Sequence, residues 1–508
     1  EEQKQLHQDP QRAVKNRILE IYLNEVYLGQ ANGRAIVGVE EAARVYFSKP
    51  LSKLTLSQSA TLAGIISAPN TYSPIRHPQR AKKRRDLVLM RMEKMGWLSK
   101  IKKKEHQQEE LIVQFSPKTK AAPWFVDHVS SLLRKNDSQE EKIVTSLDPV
   151  LQTIAERVVK ENFASLKQEY TKIKDAQIAL IAVRNRDGAV VAMVGGENYK
   201  TSQFNRALYA KRQIGSVVKP LLATASFDLL PNWSPGCWIE DKELLLLNKG
   251  VQWRPQNYDR QFRGAVTLRE AMSTSRNIPF VNIFQTLSQD QGASWFEEEM
   301  RKLDLDASKY PSSSLGSFTA TPLDMARVYT LFANGGSWVD PWFVSSSAVT
   351  QHRFASEAAT GLSVDMMRSV MESGTGRKSS EYAPGAVLYG KSGTSDQARD
   401  AWFVGFDREY SVAVWVGFDR ESSLGIGGSV AALPIWARFM DEIGAGVQSI
   451  PVPKSIKSQL FCADAPDCIE QRADWVKKTS QLNKRCTLGQ SDIFNKPQQG
   501  FWSRLFSF

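Results

Sequence analysis

The sequence predicts a multidomain protein: an all-α opening of about a hundred residues, then a larger α+β domain built on an antiparallel sheet with helices. Three observations carry that expectation. The 508 residues exceed several-fold the ~100–150 typical of one domain. Up to Ile66 the apolar residues recur at helical spacing. From Gln177 the period changes to two, and two turn-linked strand pairs enclose stretches rich in Ala, Leu and Met. A hydrophobic content of 42% against 24% charged is globular composition and excludes a disordered chain.

Each element follows in order. Over residues 13–29, Ile18, Tyr22 and Val26, beside Leu19, Leu23 and Tyr27, predict one helix with one buried stripe. Residues 39–47 form a second helix. Residues 56–66, rich in small side chains that permit close packing, form a third, before Pro69 and Pro74 break the pattern. Residues 106–141 lose clear periodicity, apart from an apolar patch over 123–133, and read as a connector. Ile178, Leu180 and Ala182, then Val190, Ala192 and Val194, flank Asp187-Gly188, a hairpin signal. A second hairpin pairs 401–406 with 411–418 across Asp407-Arg408-Glu409. After Pro451 and Pro453 the chain turns polar and cysteine-bearing, with an aromatic end at Phe501, Trp502, Leu505, Phe506 and Phe508. That tail reads either as a small appended element or as a disordered interaction segment. The expected domains are therefore 1–105, a linker at 106–141, 142–450, and the tail 451–508.

The net charge of +12 is unevenly spread: residues 76–104 hold twelve Lys or Arg against Asp86 and Glu93. Such a run suits an anionic partner, whether phospholipid head groups or a pyrophosphate-bearing substrate, or else a solvated helix face. A nucleic-acid role would rest on this run alone and is not expected. No apolar run approaches the ~18–20 residues of a membrane helix, and no signal-like segment or initiator Met opens the chain. The chain therefore reads as lacking its true N-terminus, with any anchor removed. Cys237, Cys462, Cys468 and Cys486 form no C-x-x-C pair, and the five histidines show no metal spacing, so neither a metal nor a cofactor is expected. Three of these cysteines crowd the last fifty residues, which suits a disulfide in an oxidising compartment or three free thiols.

The chemistry lies in three short motifs. In Ser216-Val217-Val218-Lys219, residues three apart share a helix face, so the Lys219 amine reaches the Ser216 hydroxyl. A serine hydroxyl becomes a good nucleophile only when a base takes its proton, and a desolvated lysine is neutral enough to serve. Alone this pattern is weak, since Ser99-Lys100-Ile101-Lys102 also satisfies it within the basic run. Ser275-Arg276-Asn277 follows 59 residues later, and Lys391-Ser392-Gly393-Thr394 a further 116 residues on. Singly, these read as a helix cap and a turn. Jointly, their order matches the S-x-x-K, S-D-N, K-T-G signature of β-lactamases and penicillin-binding proteins. A Ser-His-Asp hydrolase is disfavoured, because no G-x-S-x-G elbow surrounds Ser216 and only His352 falls within the domain.

The surrounding text resembles the class A penicillin-binding proteins. "FNRA" at 204–207, "RQIGSVVKP" at 212–220, "PQNYD" at 255–259, "LREAMSTSRNIP" at 268–279, "TPLDMARVYTLFANGG" at 321–336 and "GKSGTS" at 390–395 resemble that family's transpeptidase domain, whose fold is β-lactamase-like. Arg276 and Ser392 are ordinary variants of the motifs. "KNRILEIYLNEVYLGQ" at 15–30, "GVEEAARVYFSK" at 38–49, "LAGIISAPNTYSP" at 62–74 and "RRDLVLMRM" at 84–92 resemble the later motifs of its lysozyme-like glycosyltransferase domain. The family's essential glutamates belong to earlier motifs, so Glu20 is not promoted to catalytic acid or base. The resemblance thus implies a glycosyltransferase domain that is incomplete and inactive in this chain, while the full-length protein polymerises glycan from lipid II.

The resemblance further implies acyl transfer on stem peptides ending in D-Ala-D-Ala, and acylation by β-lactams. Ser216 would be the nucleophile and Lys219 its base. Ser275 would relay a proton to the leaving D-Ala nitrogen, and Asn277 would hold the peptide amide. Lys391 would supply positive charge, and Ser392, Gly393 and Thr394 would bind substrate, the hydroxyls of Ser392 and Thr394 taking the terminal carboxylate. The backbone N–H groups of Ser216 and Thr394 would make an oxyanion hole. The implied location is the extracytoplasmic, periplasmic face of the bacterial cytoplasmic membrane. A D,D-carboxypeptidase, a β-lactamase or a penicillin-binding sensor keeps the same motifs and differs in the fate of the acyl-enzyme. The oligomeric state is not legible.

Overall fold

The computed structural model describes residues 10–31, 34–47, 49, 51–75, 77–110, 122–135, 143–248, 251–345, 349–464 and 468–488. The chain divides into two compact units at the junction of Ala121 and Ala122.

The first unit is helical: Pro10–Glu25, Val39–Phe47, Leu56–Ile65, Pro78–Lys94 and Lys100–Gln108. A short antiparallel hairpin, Tyr27–Ala31 with Arg34–Val37, interrupts the helices, so the first one ends at Glu25 rather than continuing to Gly29. Leu28 and Ile36 from this hairpin join Ala42, Tyr46 and Phe47 in a small core, where Tyr46 donates its hydroxyl to the Leu28 carbonyl at 2.6 Å. The expected stripe is buried only toward its end: Ile18, Leu19 and Tyr22 are exposed on the described unit, whereas Leu23, Val26 and Tyr27 are partly buried and Val26 packs on the small core. The helix Leu56–Ile65 starts at a capping box: Thr55 Oγ1 accepts from the Gln58 N–H and Gln58 Oε1 accepts from the Thr55 N–H.

The basic run is partly structural. Arg85 is fully buried and donates to Ser57 Oγ and to the carbonyls of Gln107 and Glu109. Arg84 donates to the Gly64 carbonyl and to Ser67 Oγ, while Lys103 pairs with Glu93 at 2.7 Å. These cations tie Pro78–Lys94 to its neighbours, so only the remainder of the run is left for solvent or an anionic partner. Arg76 lies outside the described residues.

The second unit is organised by a five-stranded antiparallel sheet. Its strands are β1 (Gln177–Arg184), β2 (Val190–Val194), β3 (Tyr389–Thr394), β4 (Asp400–Phe406) and β5 (Tyr410–Gly417), in the spatial order β3-β4-β5-β1-β2. Both hairpins anticipated from the sequence are present. Helices cover both faces, as the alternation along β4 shows. Phe403 packs on Trp436 of the helix Leu433–Glu442, whereas Phe406 stacks on Phe332 of the helix Pro322–Ala333. Burial on both faces explains why β4 is buried along its whole length and reads as a continuous apolar run.

One region differs from its sequence reading, and a second takes the first of the two readings left open, a small appended element. The apolar patch in the connector is a helix, Pro123–Lys135, whose Trp124 and Phe125 are buried in the second unit. The cysteine-bearing segment is not a loose tail up to Leu488. Ile456–Cys462 pairs with Gln471–Lys477 as a hairpin, and Arg269 grips Asp474 and Asp365. Disulfides join Cys237 to Cys486 and Cys462 to Cys468. Cys237, remote in sequence, is thus a partner that clustering within the last fifty residues could not reveal. The aromatic end at 501–508 lies outside the described residues. Among the described residues, no helix is long and apolar enough to cross a membrane.

Candidate active site

Ser216 occupies a short 3-10 turn, Gly215–Val218, and Lys219 is the first residue of the helix Lys219–Leu229. In a 3-10 turn the side chains at i and i+3 eclipse, which aligns this pair more closely than an α-helix would. The turn lies hard against β3. Gly215 adopts φ +56°, and a Cβ there would come within 2.5 Å of the Thr394 carbonyl. A Cβ on Gly393 would meet the Ile214 carbonyl at 2.6 Å. Glycine at both positions is what lets the Ser216 turn touch the strand.

The second motif caps this corner. Ser275, at φ +58°, turns its carbonyl toward Lys219, whose Nζ donates to the carbonyls of Ser275 (2.8 Å) and Arg276 (2.9 Å) and to Asn277 Oδ1 (2.7 Å). Lys391 Nζ donates to Ser275 Oγ at 2.8 Å and to the Ser392 carbonyl at 2.9 Å, and Lys219 approaches the same Oγ at 3.4 Å. Both lysines are fully buried, whereas Ser216, Ser275, Asn277 and Thr394 are partly exposed. The hydroxyls therefore form the open floor of the site and the amines lie beneath it.

Burial sets the electrostatics. Loss of hydration, with the charges of Lys391 and Arg276 nearby, holds Lys219 well below the ordinary ammonium range. Burial lowers Lys391 to about 7. The three oxygens around Lys219 Nζ oppose that trend by favouring an ammonium with three N–H bonds. Among the described residues Ser216 Oγ makes no hydrogen bond, and such contacts commonly tighten only when substrate arrives.

The structure brings all eight sequence-selected residues to one place. Thr394 Oγ1 accepts from the Gly428 N–H at 3.2 Å, so its own proton is available to a ligand. Ser392 is buried, and its hydroxyl pairs with Thr375 Oγ1 at 2.8 Å. Thr375 is a member of the site that the three motifs do not mark; its only signal is the Gly374-Thr375-Gly376 stretch.

Sequence reasoning also misses a supporting network. Arg276 turns away from the open floor and pairs with fully buried Asp241 at 2.9 Å and with Asp259 at 2.7 Å. Asn257 Nδ2 donates to Asp241 Oδ1 at 2.7 Å, while its Oδ1 accepts from the Asn277 N–H at 2.7 Å. Asn277 Nδ2 in turn donates to the Gln256 carbonyl. The segment "PQNYD" thereby fixes the backbone of the second motif.

The chain is similar to known proteins both in sequence and in fold. A family model described as the penicillin binding protein transpeptidase domain matches residues 178–441, and one described as transglycosylase matches residues 7–93. Penicillin-binding protein 1B of Vibrio cholerae is 34% identical over 505 residues, covering 94% of this chain. The chain spans 64% of that relative's length. Penicillin-binding protein 1A of Aquifex aeolicus is 31% identical, covering 84% of this chain and 71% of its own. The solved structure of penicillin-binding protein 1A from Haemophilus influenzae is similar in fold, with a TM-score of 0.69 at 20% identity, covering 94% of this chain and 95% of that one.

Proposed function

Because the chain belongs to the class A penicillin-binding proteins, with transglycosylase and transpeptidase regions, we propose that it cross-links peptidoglycan by serine acyl transfer on stem peptides ending in D-Ala-D-Ala. The observation that carries this reading is the Ser275 hydroxyl bridging two fully buried lysines beside Ser216. Ser216 Oγ attacks the penultimate carbonyl while neutral Lys219 takes its proton. The oxyanion is met by the backbone N–H groups of Ser216 and Thr394; loss of one such donor costs about 3–4 kcal/mol in comparable sites. Collapse breaks the peptide bond, and the departing D-Ala nitrogen is protonated through Ser275. An amine from a neighbouring stem peptide then attacks the ester, forming the cross-link and returning the proton to Ser216. Asn277 holds the peptide amide, and Lys391, Thr394 and the Ser392–Thr375 pair receive the terminal carboxylate.

A β-lactam presents a similar carbonyl and carboxylate and would acylate the same serine. The transglycosylase match over residues 7–93 extends the proposal to glycan polymerisation from lipid II. The two disulfides suit the oxidising, extracytoplasmic side of a membrane. The test is labelling with fluorescent penicillin followed by peptide mapping. A long-lived adduct on Ser216, absent in Ser216→Ala, supports the reading. Undiminished labelling of that variant overturns it, and release of the adduct within seconds points to a hydrolase.

A further inference from the structure

The turn that bears Ser216 touches a further segment besides β3 and the Ser275 loop. Residues 316–320 run antiparallel to residues 212–215, with Thr319 opposite Gln213 and Ala320 opposite Arg212. The Ile214 N–H donates to the Phe318 carbonyl at 3.3 Å, and the Gly215 N–H donates to the Gly316 carbonyl at 3.1 Å. Gly316 ends the 3-10 helix Pro311–Leu315 in the left-handed conformation, at φ +76°. A Cβ on Gly316 would stand 2.1 Å from the Gly215 carbonyl oxygen, 2.6 Å from its nitrogen and 2.7 Å from its carbonyl carbon. An ordinary C–H···O contact is about 3.3–3.6 Å, so a methyl group here would push that carbonyl away by about an ångström.

The Gly215 carbonyl belongs to the peptide unit whose other end is the Ser216 N–H. A peptide unit is planar and trans, so its C=O and N–H point in opposite directions and turn together. Displacing the Gly215 oxygen therefore swings the Ser216 N–H. Thr394 closes another side of the same residue, because a Cβ on Gly215 would lie 2.5 Å from the Thr394 carbonyl oxygen and 3.1 Å from its nitrogen. Gly215 and Gly316 are both buried. Backbone, which yields less readily than the end of a side chain, thus packs against Gly215 from both segments.

We propose that Gly316 is a positioning residue for acyl transfer: by lacking a side chain it fixes the peptide plane that aims the Ser216 N–H at the oxyanion. This rests on the function proposed above, in which that N–H is one of two oxyanion donors. The effect belongs to the transition state. The oxyanion exists only once Ser216 Oγ has bonded to the substrate carbonyl carbon and the carbonyl electron pair has moved onto oxygen. A tilted N–H therefore slows acylation and leaves reversible binding of the same ligand in place.

The test is Gly316→Ala in the whole chain, acylated by a fluorescent penicillin over a range of concentrations so that reversible binding separates from the first-order step. The first-order rate should fall about 10²-fold, the usual loss when a donor is missing or a reacting group is misplaced by about 1 Å. Reversible binding should be unchanged. Infrared difference spectra with isotope-labelled penicillin should place the acyl-enzyme ester carbonyl at higher frequency, the mark of a weakened hydrogen bond to its oxygen. Both readouts come only from molecules that acylate, so partial unfolding lowers their amplitude and not their values. Gly385→Ala is the matched control, with φ +79° and nothing within 4 Å of its Cβ. It carries the same backbone strain without the clash and should acylate at the unsubstituted rate. Where Gly316→Ala does not fold, Gln213→Ala removes the side-chain N–H that the Ser317 carbonyl accepts at 3.4 Å. That variant loosens the same segment without inserting an atom, and it should slow acylation about threefold. An unchanged rate in Gly316→Ala, or in Gln213→Ala where the first variant does not fold, overturns the proposal. So does an equal loss in Gly385→Ala, or a loss that lies wholly in reversible binding. Absence of any adduct on Ser216 in the unsubstituted chain would instead refute the acyl-transfer reading.

Discussion

At the residue scale, Lys219 and Lys391 illustrate how burial shifts the proton affinity of a common side chain. An exposed lysine is an ammonium at neutral pH, whereas both of these are fully buried and both are pushed downward. Lys219→Ala should slow penicillin acylation by about 10²–10⁴-fold, the usual loss when a general base is removed. In the unsubstituted chain the acylation rate should rise with pH as Lys219 deprotonates, a limb that stopped-flow profiles of the variant should lack. Lys391 makes a prediction about stability. Its folded value of about 7 lies below 10.5 for the free side chain, so between these limits the unfolded state binds more protons. Stability should therefore rise with pH across that window, while the full cost of charging the buried amine is present below about 7. Every tenfold change in proton affinity between the folded and unfolded chain corresponds to about 1.4 kcal/mol. Lys391→Met should flatten this dependence in urea unfolding measured from pH 6 to 10.

At the scale of elements, the site is a junction of three pieces: the Ser216 turn, the loop bearing Ser275 and Asn277, and β3. Gly215 and Gly393 permit the first contact, and the Asp241–Arg276–Asn257 network holds the second. Arg276 is 3% exposed and Asp241 is fully buried, so removing one partner strands a buried charge. Arg276→Ala should destabilise the second unit by about 3–5 kcal/mol, seen as a shifted urea midpoint. Asn257→Ala releases the Asn277 N–H and the Asp241 carboxylate together. It should cut the acylation rate about tenfold or more, in line with ~1–3 kcal/mol for an unsatisfied buried group, while the adduct still maps to Ser216.

At the scale of the whole molecule, the disulfide between Cys237 and Cys486 spans 249 residues of sequence. It closes the second unit around the hairpin that Arg269 also grips through Asp474. Cross-links across long loops constrain the unfolded chain most, with typical gains of about 2–5 kcal/mol. Cys486→Ser should therefore lower the Tm of the second unit by several degrees in calorimetry and expose the hairpin to limited proteolysis. Penicillin labelling of Ser216 should persist, because no catalytic group lies on that hairpin.

The sequence by itself determined the local features. Turn residues at Asp187-Gly188 and Asp407-Arg408-Glu409 specified the two hairpins, and the spacing of Ser216, Ser275 and Lys391 picked out the site. These signals are legible because hydrogen-bonded turns and i,i+3 neighbours depend on residues close in the chain. Long-range partners carry no such mark. Thr375 and Asn257 gain their importance from Ser392 and Asn277, and Cys486 from Cys237, contacts made only when remote segments pack together. The helix Pro123–Lys135 reads as connector in the sequence because its short apolar patch has meaning only once Trp124 and Phe125 find a core to enter. The depressed lysines belong to the same class, for the sequence places an amine near a hydroxyl, and only tertiary packing takes that amine out of water.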